Sequence, residues 1–214
     1  MYAEHRLSEF MPFCEPSIGE CFGCNSMADP NAACANADPN VPLCVDGECV
    51  ACTEGDHTAC DAQLLVCDTE TMSCAPCSEH EQCPSGACDL LLESPTCFDP
   101  ANVLDVGMGE MFATIAGALT EVGDLALDRA VLRLHGSGAM ADFDESAMAD
   151  TGAIAFIAAE GNSPRWTKTG AMGAPMLTVD GMDTRVYITD VSLSQSTSNS
   201  PGFVCNASAV DIRP

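Results

Sequence analysis

Basic residues are nearly missing from this 214-residue chain: it holds seven Lys and Arg against 32 Asp and Glu, for a formal net charge of −25. None lies between Arg6 and Arg129. Residues 1–100 carry 18 acids and one Arg, net −17, while residues 101–214 carry 14 acids and six basic residues, net −8. Such a surface repels nucleic acid and anionic headgroups, so no nucleic-acid partner is expected. No apolar run approaches the ~18 residues of a membrane span. Gly-x-Ser-x-Gly and Walker sequences are absent, which removes the commonest hydrolase and nucleotide signatures. Bulky apolar residues are scarce in the first half. Leu, Val, Ile, Met and Phe fill 14 of the 84 positions from Cys14 to Cys97, too few for a self-sufficient core.

Cysteine is abundant there instead. Of 15 cysteines, only Cys205 lies outside the stretch from Cys14 to Cys97. That density predicts a disulfide framework made in an oxidising compartment, extracellular or at the cell envelope. The candidates are Cys14, Cys21, Cys24, Cys34, Cys44, Cys49, Cys52, Cys60, Cys67, Cys74, Cys77, Cys83, Cys88 and Cys97. Their connectivity does not follow from spacing. Three units repeat, each opening with Cys-x2-Cys: from Cys21, from Cys49 and from Cys74. Short strands and turns with little helix are expected, with Asp-Pro-Asn turns at Asp29 and Asp38. The odd total leaves one cysteine without an intramolecular partner, and Cys205 is the candidate. The start, Met1-Tyr-Ala-Glu-His-Arg6, is no apolar leader. Export chemistry without an export signal predicts a natural product that begins upstream, and the strand-like finish at Val210–Pro214 predicts further coils downstream.

After Phe98-Asp-Pro-Ala the composition changes. The expected order is an unstructured segment 1–13, a cysteine module 14–97, a linker 98–110 and a β-rich domain 111–214 that opens with a helix over 111–122. Phe112, Ile115, Leu119 and Val122 fall at helical spacing, closed by Gly123. Strand-like runs follow at 130–135, 153–158, 176–179, 186–188 with 191–193, and 209–212. Val131, Ile154 and Leu177 recur every 23 residues. That period, with Gly, Asn and Asp between strands, favours a parallel solenoid over an antiparallel sandwich.

Thr114-Ile-Ala-Gly-Ala-Leu119 followed by Arg129-Ala-Val-Leu-Arg-Leu-His-Gly136 resembles the first coil and capping helix of pectate-lyase-like right-handed parallel β-helices. Met176–Gly181 with Arg185–Ser194, and Pro201–Ile212, are similar to their coils. The cysteine units resemble repeats in secreted proteins of predatory and social (myxobacterial-type) bacteria, and more distantly the Dickkopf-type pattern. The resemblance implies an all-β chain: a disulfide-rich repeat module, then the N-terminal coils of a right-handed β-helix with a short capping helix. It also makes polysaccharide lyase or hydrolase chemistry, incomplete in this chain, the enzymatic alternative.

Candidate chemistry is thin. Asp180, Asp183, Asp190 and Arg185 form the one acid–base cluster that could cleave a glycan, although acids beside glycine are usually turn formers. The first three acids, and separately Asp142, Asp144 and Glu145, offer oxygens to calcium without EF-hand spacing. Cys49, Cys52, His57 and Cys60, and likewise Cys74, Cys77, His80 and Cys83, match a zinc ligand set; a disulfide framework instead uses all fourteen cysteines in one scheme. Gly136-Ser-Gly138 is followed by Asp142-Phe-Asp-Glu145, acids that oppose a pyrophosphate. Asn206-Ala-Ser208 is a glycosylation sequon. No cofactor is expected. The expected function is an exported structural or binding protein, adhesive toward polysaccharide or a cell-surface protein. Hydroxyls of Thr189, Ser192, Ser194, Ser196, Thr197 and Ser198 would line its face.

Overall fold

The computed structural model describes residues 13–15, 20–138, 142–150, 152–169, 174–181, 183–195, 202–206 and 209–213. The expected segment 1–13 thus lies almost wholly outside the described residues. The chain divides into two compact units, 1–77 and 78–214.

Among its described residues the first unit holds three antiparallel hairpins. Strand β1 (Phe13–Glu15) pairs with β2 (Glu20–Phe22), setting the backbones of Cys14 and Cys21 opposite each other; their side chains lie outside the described residues. Helix α1 (Pro30–Ala37) follows, then β3 (Leu43–Val45) with β4 (Glu48–Val50), helix α2 (Thr58–Asp61), and β5 (Val66–Asp68) with β6 (Ser73–Ala75). The β3–β4 turn places Asp46 at φ 52° and Gly47 at φ 95°, the two left-handed residues that a tight hairpin requires. Asp29-Pro-Asn, read as a turn, starts a helix. The Asp29 carboxylate accepts the Ala32 N–H at 3.1 Å, and Pro30 at the first helical position has no N–H to lose. Asp38-Pro-Asn is a turn, with the Asn40 N–H on Asp38 Oδ1 at 2.9 Å.

The bridges that staple this unit include Cys24–Cys44, Cys34–Cys49, Cys52–Cys67 and Cys60–Cys74. Each bonded set pairs first with third and second with fourth. The repeat therefore runs Cys24 to Cys49 and Cys52 to Cys74, one cysteine later than the Cys-x2-Cys frame suggests. The two-residue spacers join successive sets instead of opening each one. Cys44 faces Cys49 across its hairpin, and Cys67 faces Cys74, yet each bonds a cysteine upstream. Sulfur fills the interior: Cys24, Cys34, Cys52 and Cys60 are fully buried.

The second unit is a parallel β-solenoid of about three turns. Its described elements, in order, are β7 (Val103–Val106), α3 (Ile115–Asp124), β8 (Arg129–Leu134), β9 (Phe143–Asp144), β10 (Ala147–Ala149), β11 (Ala153–Ala158), β12 (Arg165–Lys168), β13 (Leu177–Val179), β14 (Arg185–Thr189), β15 (Ser192–Gln195), β16 (Phe203–Cys205) and β17 (Ala209–Arg213). Three walls result: β7-β8-β11-β14-β17, β9-β12-β15 and β10-β13-β16. All these pairings are parallel. Alternation on the first wall sends Leu104, Leu132, Phe156 and Ile188 inward as one stacked column. Trp166, Met176 and Leu177 close the same core from the other walls. Gly152 makes the tightest approach. A Cβ there would stand 1.8 Å from the Asp128 carbonyl oxygen, and its φ is +53°, so only glycine fits.

Three expectations change. The linker 98–110 contains β7, which pairs in register with β8 as the first rung of the five-stranded wall. The helix starts at Ile115, not 111, because the Thr114 hydroxyl caps it by accepting the Gly117 N–H at 3.1 Å. It ends past Gly123 through a left-handed Ala126 at φ 49°, with the Leu127 N–H on the Val122 carbonyl at 3.0 Å. Finally, the 23-residue period mixes walls. Val131 stacks on Ala155 and Tyr187, while Leu177 lies on the third wall against Ala147. The true steps, from Arg129 to Ala153 to Arg185 to Ala209, are 24, 32 and 24 residues.

Candidate functional site

Outward residues of the first wall carry the chemistry of the second unit. The segment from Ala87 to Phe98 covers part of this face: Ala87 and Phe98 pack with Val131, Ala153, Ala155, Ile157 and Tyr187. It is held by Cys83–Cys97, which repeats the 14-residue span of Cys60–Cys74. Cys77 and Cys88 are disulfide-bonded as well. The bridges fit an oxidising, extracellular setting.

At the centre of the covered face lies Asp89, which has no solvent exposure. Arg185 donates to it twice, Nε at 3.0 Å and the guanidinium Nη2 at 2.8 Å. The Tyr187 hydroxyl donates a further short bond to the same carboxylate and accepts the Leu91 N–H at 3.0 Å. Arg129 stands 3.5 Å from the second carboxylate oxygen. It also donates to Thr96 Oγ1 and to the Thr96 and Cys97 carbonyls at 2.9, 2.9 and 3.0 Å, and lies over the Phe98 ring at 4.8 Å. Burial and the neighbouring carboxylate push the Tyr187 phenol well above its ordinary range. Burial lowers Arg129, while its bonds to Asp89 raise Arg185. Arg185, Tyr187 and the two terminal nitrogens of Arg129 all end on protein acceptors, while Arg129 Nε is buried without a hydrogen-bond partner among the described residues. These bonds tether the covering segment to the wall.

Arg185 therefore faces Asp89 and not the acids nominated with it. Asp180 and Asp183 precede β14. The Asp180 carbonyl accepts the Thr184 hydroxyl at 2.5 Å, and the Asp183 carbonyl accepts an Arg185 N–H at 3.4 Å. Asp190 follows β14 in a left-handed turn at φ 58°. The five residues of β14 separate the two ends by about 16 Å at the usual strand rise.

The other acidic group is occupied with backbone. The Asp142 carboxylate accepts N–H groups of Ser137, Gly138 and Arg165 at 3.1, 3.1 and 2.8 Å, filling the glycine loop weighed as a nucleotide cradle. Those bonds hold it below the usual carboxylate range against the opposing effect of burial. Asp144 accepts the Thr169 N–H at 2.7 Å and its hydroxyl. Glu145 accepts the Ile115 and Ala116 N–H groups at 2.8 and 3.0 Å, an anion at the α3 N-terminus. Five of the six cysteines in the zinc sets are bonded outside their own set, Cys49 to Cys34, Cys52 to Cys67, Cys60 to Cys74 and Cys83 to Cys97, and the sixth, Cys77, is disulfide-bonded as well. His57 is exposed just before α2. His80 is buried and accepts the Cys88 N–H through Nδ1 at 3.0 Å. Cys205 is an exposed free thiol.

Two arrangements carried little sequence signal. One is a chain of charges beside the covering segment. Arg133 donates to both Asp105 oxygens at 2.7 and 2.8 Å, His135 Nε2 meets Asp105 at 2.7 Å and its Nδ1 lies 3.6 Å from Glu110. The Arg133 bond outweighs burial, which pushes the carboxyl up, and holds Asp105 down at about 2. Charged residues at outward positions of otherwise apolar strands were the available hint. The second is a pocket of about 310 Å³ lined by Glu81, Pro84, Arg133, Ile157, Glu160, Thr189 and Asp190 among others. It gathers residues from four separate stretches of chain. Of the hydroxyls expected on the face, Ser196, Thr197 and Ser198 lie outside the described residues, as do Ala207 and Ser208 of the sequon. No described helix is long and apolar enough to cross a membrane.

A family model described as "Family of unknown function (DUF8331)" matches residues 3–103, which is similarity over the cysteine units that stops at the first residue of β7. No curated protein matches the chain. No solved structure matches it either.

Proposed function

We propose that this is an exported, non-catalytic binding protein, in which the stapled cysteine sets form a resistant spacer and the solenoid presents a glycan-binding face. The observation that carries this reading is the use made of Arg185, the basic residue nominated together with Asp180, Asp183 and Asp190. It is bonded to buried Asp89, and Asp183 and Asp190 stand at opposite ends of a strand. Cleavage needs two carboxylates opposed at roughly 5–10 Å. Solenoid walls supply ladders of outward side chains suited to long ligands. The test is retention against turnover. Oxidised full-length protein should be retained on at least one of a panel of immobilised neutral, uronate and amino-sugar glycans and release no new reducing ends or unsaturated uronates.

The polysaccharide lyase or hydrolase reading keeps one supporting observation: Asp190 does meet Glu81, Glu160 and Arg133 around one pocket. Depolymerisation that disappears in Asp190→Asn would make the enzyme reading the correct one.

A further inference from the structure

Resting on the glycan-binding reading, we propose that the pocket beside the covering segment receives a protonated amino sugar. Three carboxylates, Glu81, Glu160 and Asp190, line it against one guanidinium, Arg133. That guanidinium is held bidentately by Asp105 at 2.7 and 2.8 Å, so its charge is already balanced and the pocket remains negative. His80, also on its lining, accepts a backbone N–H through Nδ1. A ring nitrogen that accepts carries no proton, so this imidazole is neutral and adds no positive charge.

A second observation points to a ligand independently of the acids. The Thr189 hydroxyl is buried, its residue 7% exposed, and it has no hydrogen-bond partner among the described residues. Its neighbour Ile188 faces the core, so strand alternation turns Thr189 to the outer face where the pocket lies. A buried unpaired hydroxyl is destabilising unless something bonds it. Pro84, Ile157 and Ala158 add an apolar strip on which the C–H face of a pyranose can lie. The volume of about 310 Å³ sits at the small end of ligand pockets, roughly 300–1,000 Å³, which suits one sugar ring. A cationic, hydroxyl-bearing, partly apolar ring answers all of these features together; a bare divalent ion uses neither the strip nor the size.

The test is calorimetric titration of oxidised full-length protein at pH 6, where an amine of ordinary basicity is protonated. The probes are a fully deacetylated glucosamine trimer, its N-acetylated counterpart, trilysine and calcium chloride. The deacetylated trimer should bind at least tenfold more tightly than the acetylated one. Glu160→Gln and Asp190→Asn should each weaken it about tenfold, and Thr189→Val about threefold, with thermal unfolding like the parent's; Glu81→Gln substitutes for any variant that fails to fold. Equal affinity for both trimers, wild-type affinity in the Glu160→Gln/Asp190→Asn double variant, or tighter binding of trilysine or calcium overturns the inference. If neutral or uronate glycans bind the parent and the double variant alike, the amino-sugar inference falls and the broader glycan reading stands. If no glycan binds at all, both fall.

Discussion

Between residues 20 and 77 the chain buries sulfur; between 103 and 213 it buries stacked aliphatic and aromatic side chains. The first unit's interior contains Cys24, Cys34, Cys52 and Cys60 with few large apolar neighbours. The solenoid's interior contains Leu132, Phe156, Trp166, Leu177 and Ile188 in contact along the walls. Cross-links stabilise largely by limiting the unfolded chain, whereas a packed core stabilises by removing apolar surface from water. Two parts of one chain thus respond to different perturbations.

The largest expected effect separates them directly. A strong phosphine reductant removes four bridges from residues 24–74, each worth about 3 kcal/mol for loops of this length. Amide exchange protection should vanish across β3–β6 while β8, β11 and β14 keep theirs. Simultaneous loss in both units would show that the solenoid depends on sulfur too. The reverse experiment empties the solenoid column: Phe156→Ala should cost about 3–5 kcal/mol in denaturant unfolding and leave exchange in β3–β6 unchanged.

Next comes the tether on the outer face. Asp89→Ala leaves Arg129 and Arg185 without their shared carboxylate, and breaking a buried pair costs about 3–5 kcal/mol. The loss should appear as exchange and proteolysis within 84–98 before β11 opens. If stability falls by less than 1 kcal/mol, the cluster is an exposed pair in effect. The smallest effect is the pH response of the outer rim. Asp105 is depressed from 3.8 to about 2, so its contribution is present above 3.8 and is lost as pH falls toward 2. Its partial exposure limits the contribution to about 1 kcal/mol. Asp105→Asn should flatten the stability difference between pH 5 and pH 2 by that amount.

Much of this architecture was legible. Cysteine density announced the staples, the spacing of Phe112, Ile115, Leu119 and Val122 announced a helix over 111–122 that the structure starts at Ile115, and Ala153–Ala158 was delimited to the residue. Of the short strands, β13 and β15 showed as the apolar runs 176–179 and 191–193, but β7, β9, β10, β12 and β16 were not legible, since a period needs length to show. β12 contains Trp166, the chain's single tryptophan and fully buried, yet it is flanked by Arg165 and Lys168 and has no apolar run. The left-handed Ala126 that ends α3 was likewise hidden behind the more obvious Gly123.

By itself the sequence determined the division of labour between sulfur and apolar packing, the all-β solenoid and the acidic surface, because composition and side-chain alternation are local properties of the chain. Only the tertiary structure decided the rest. Alternation tells a residue to point in or out but not which wall it joins, so uneven turns of 24, 32 and 24 residues decided that Leu177 leaves the column of Ile154. Equivalent cysteines differ only in spatial neighbours, so folding decided the first-to-third, second-to-fourth pairing. Burial also depends on what packs above, and only the covering segment decided that Asp89 binds Arg185 and that Glu81, Glu160, Thr189 and Asp190 share a pocket.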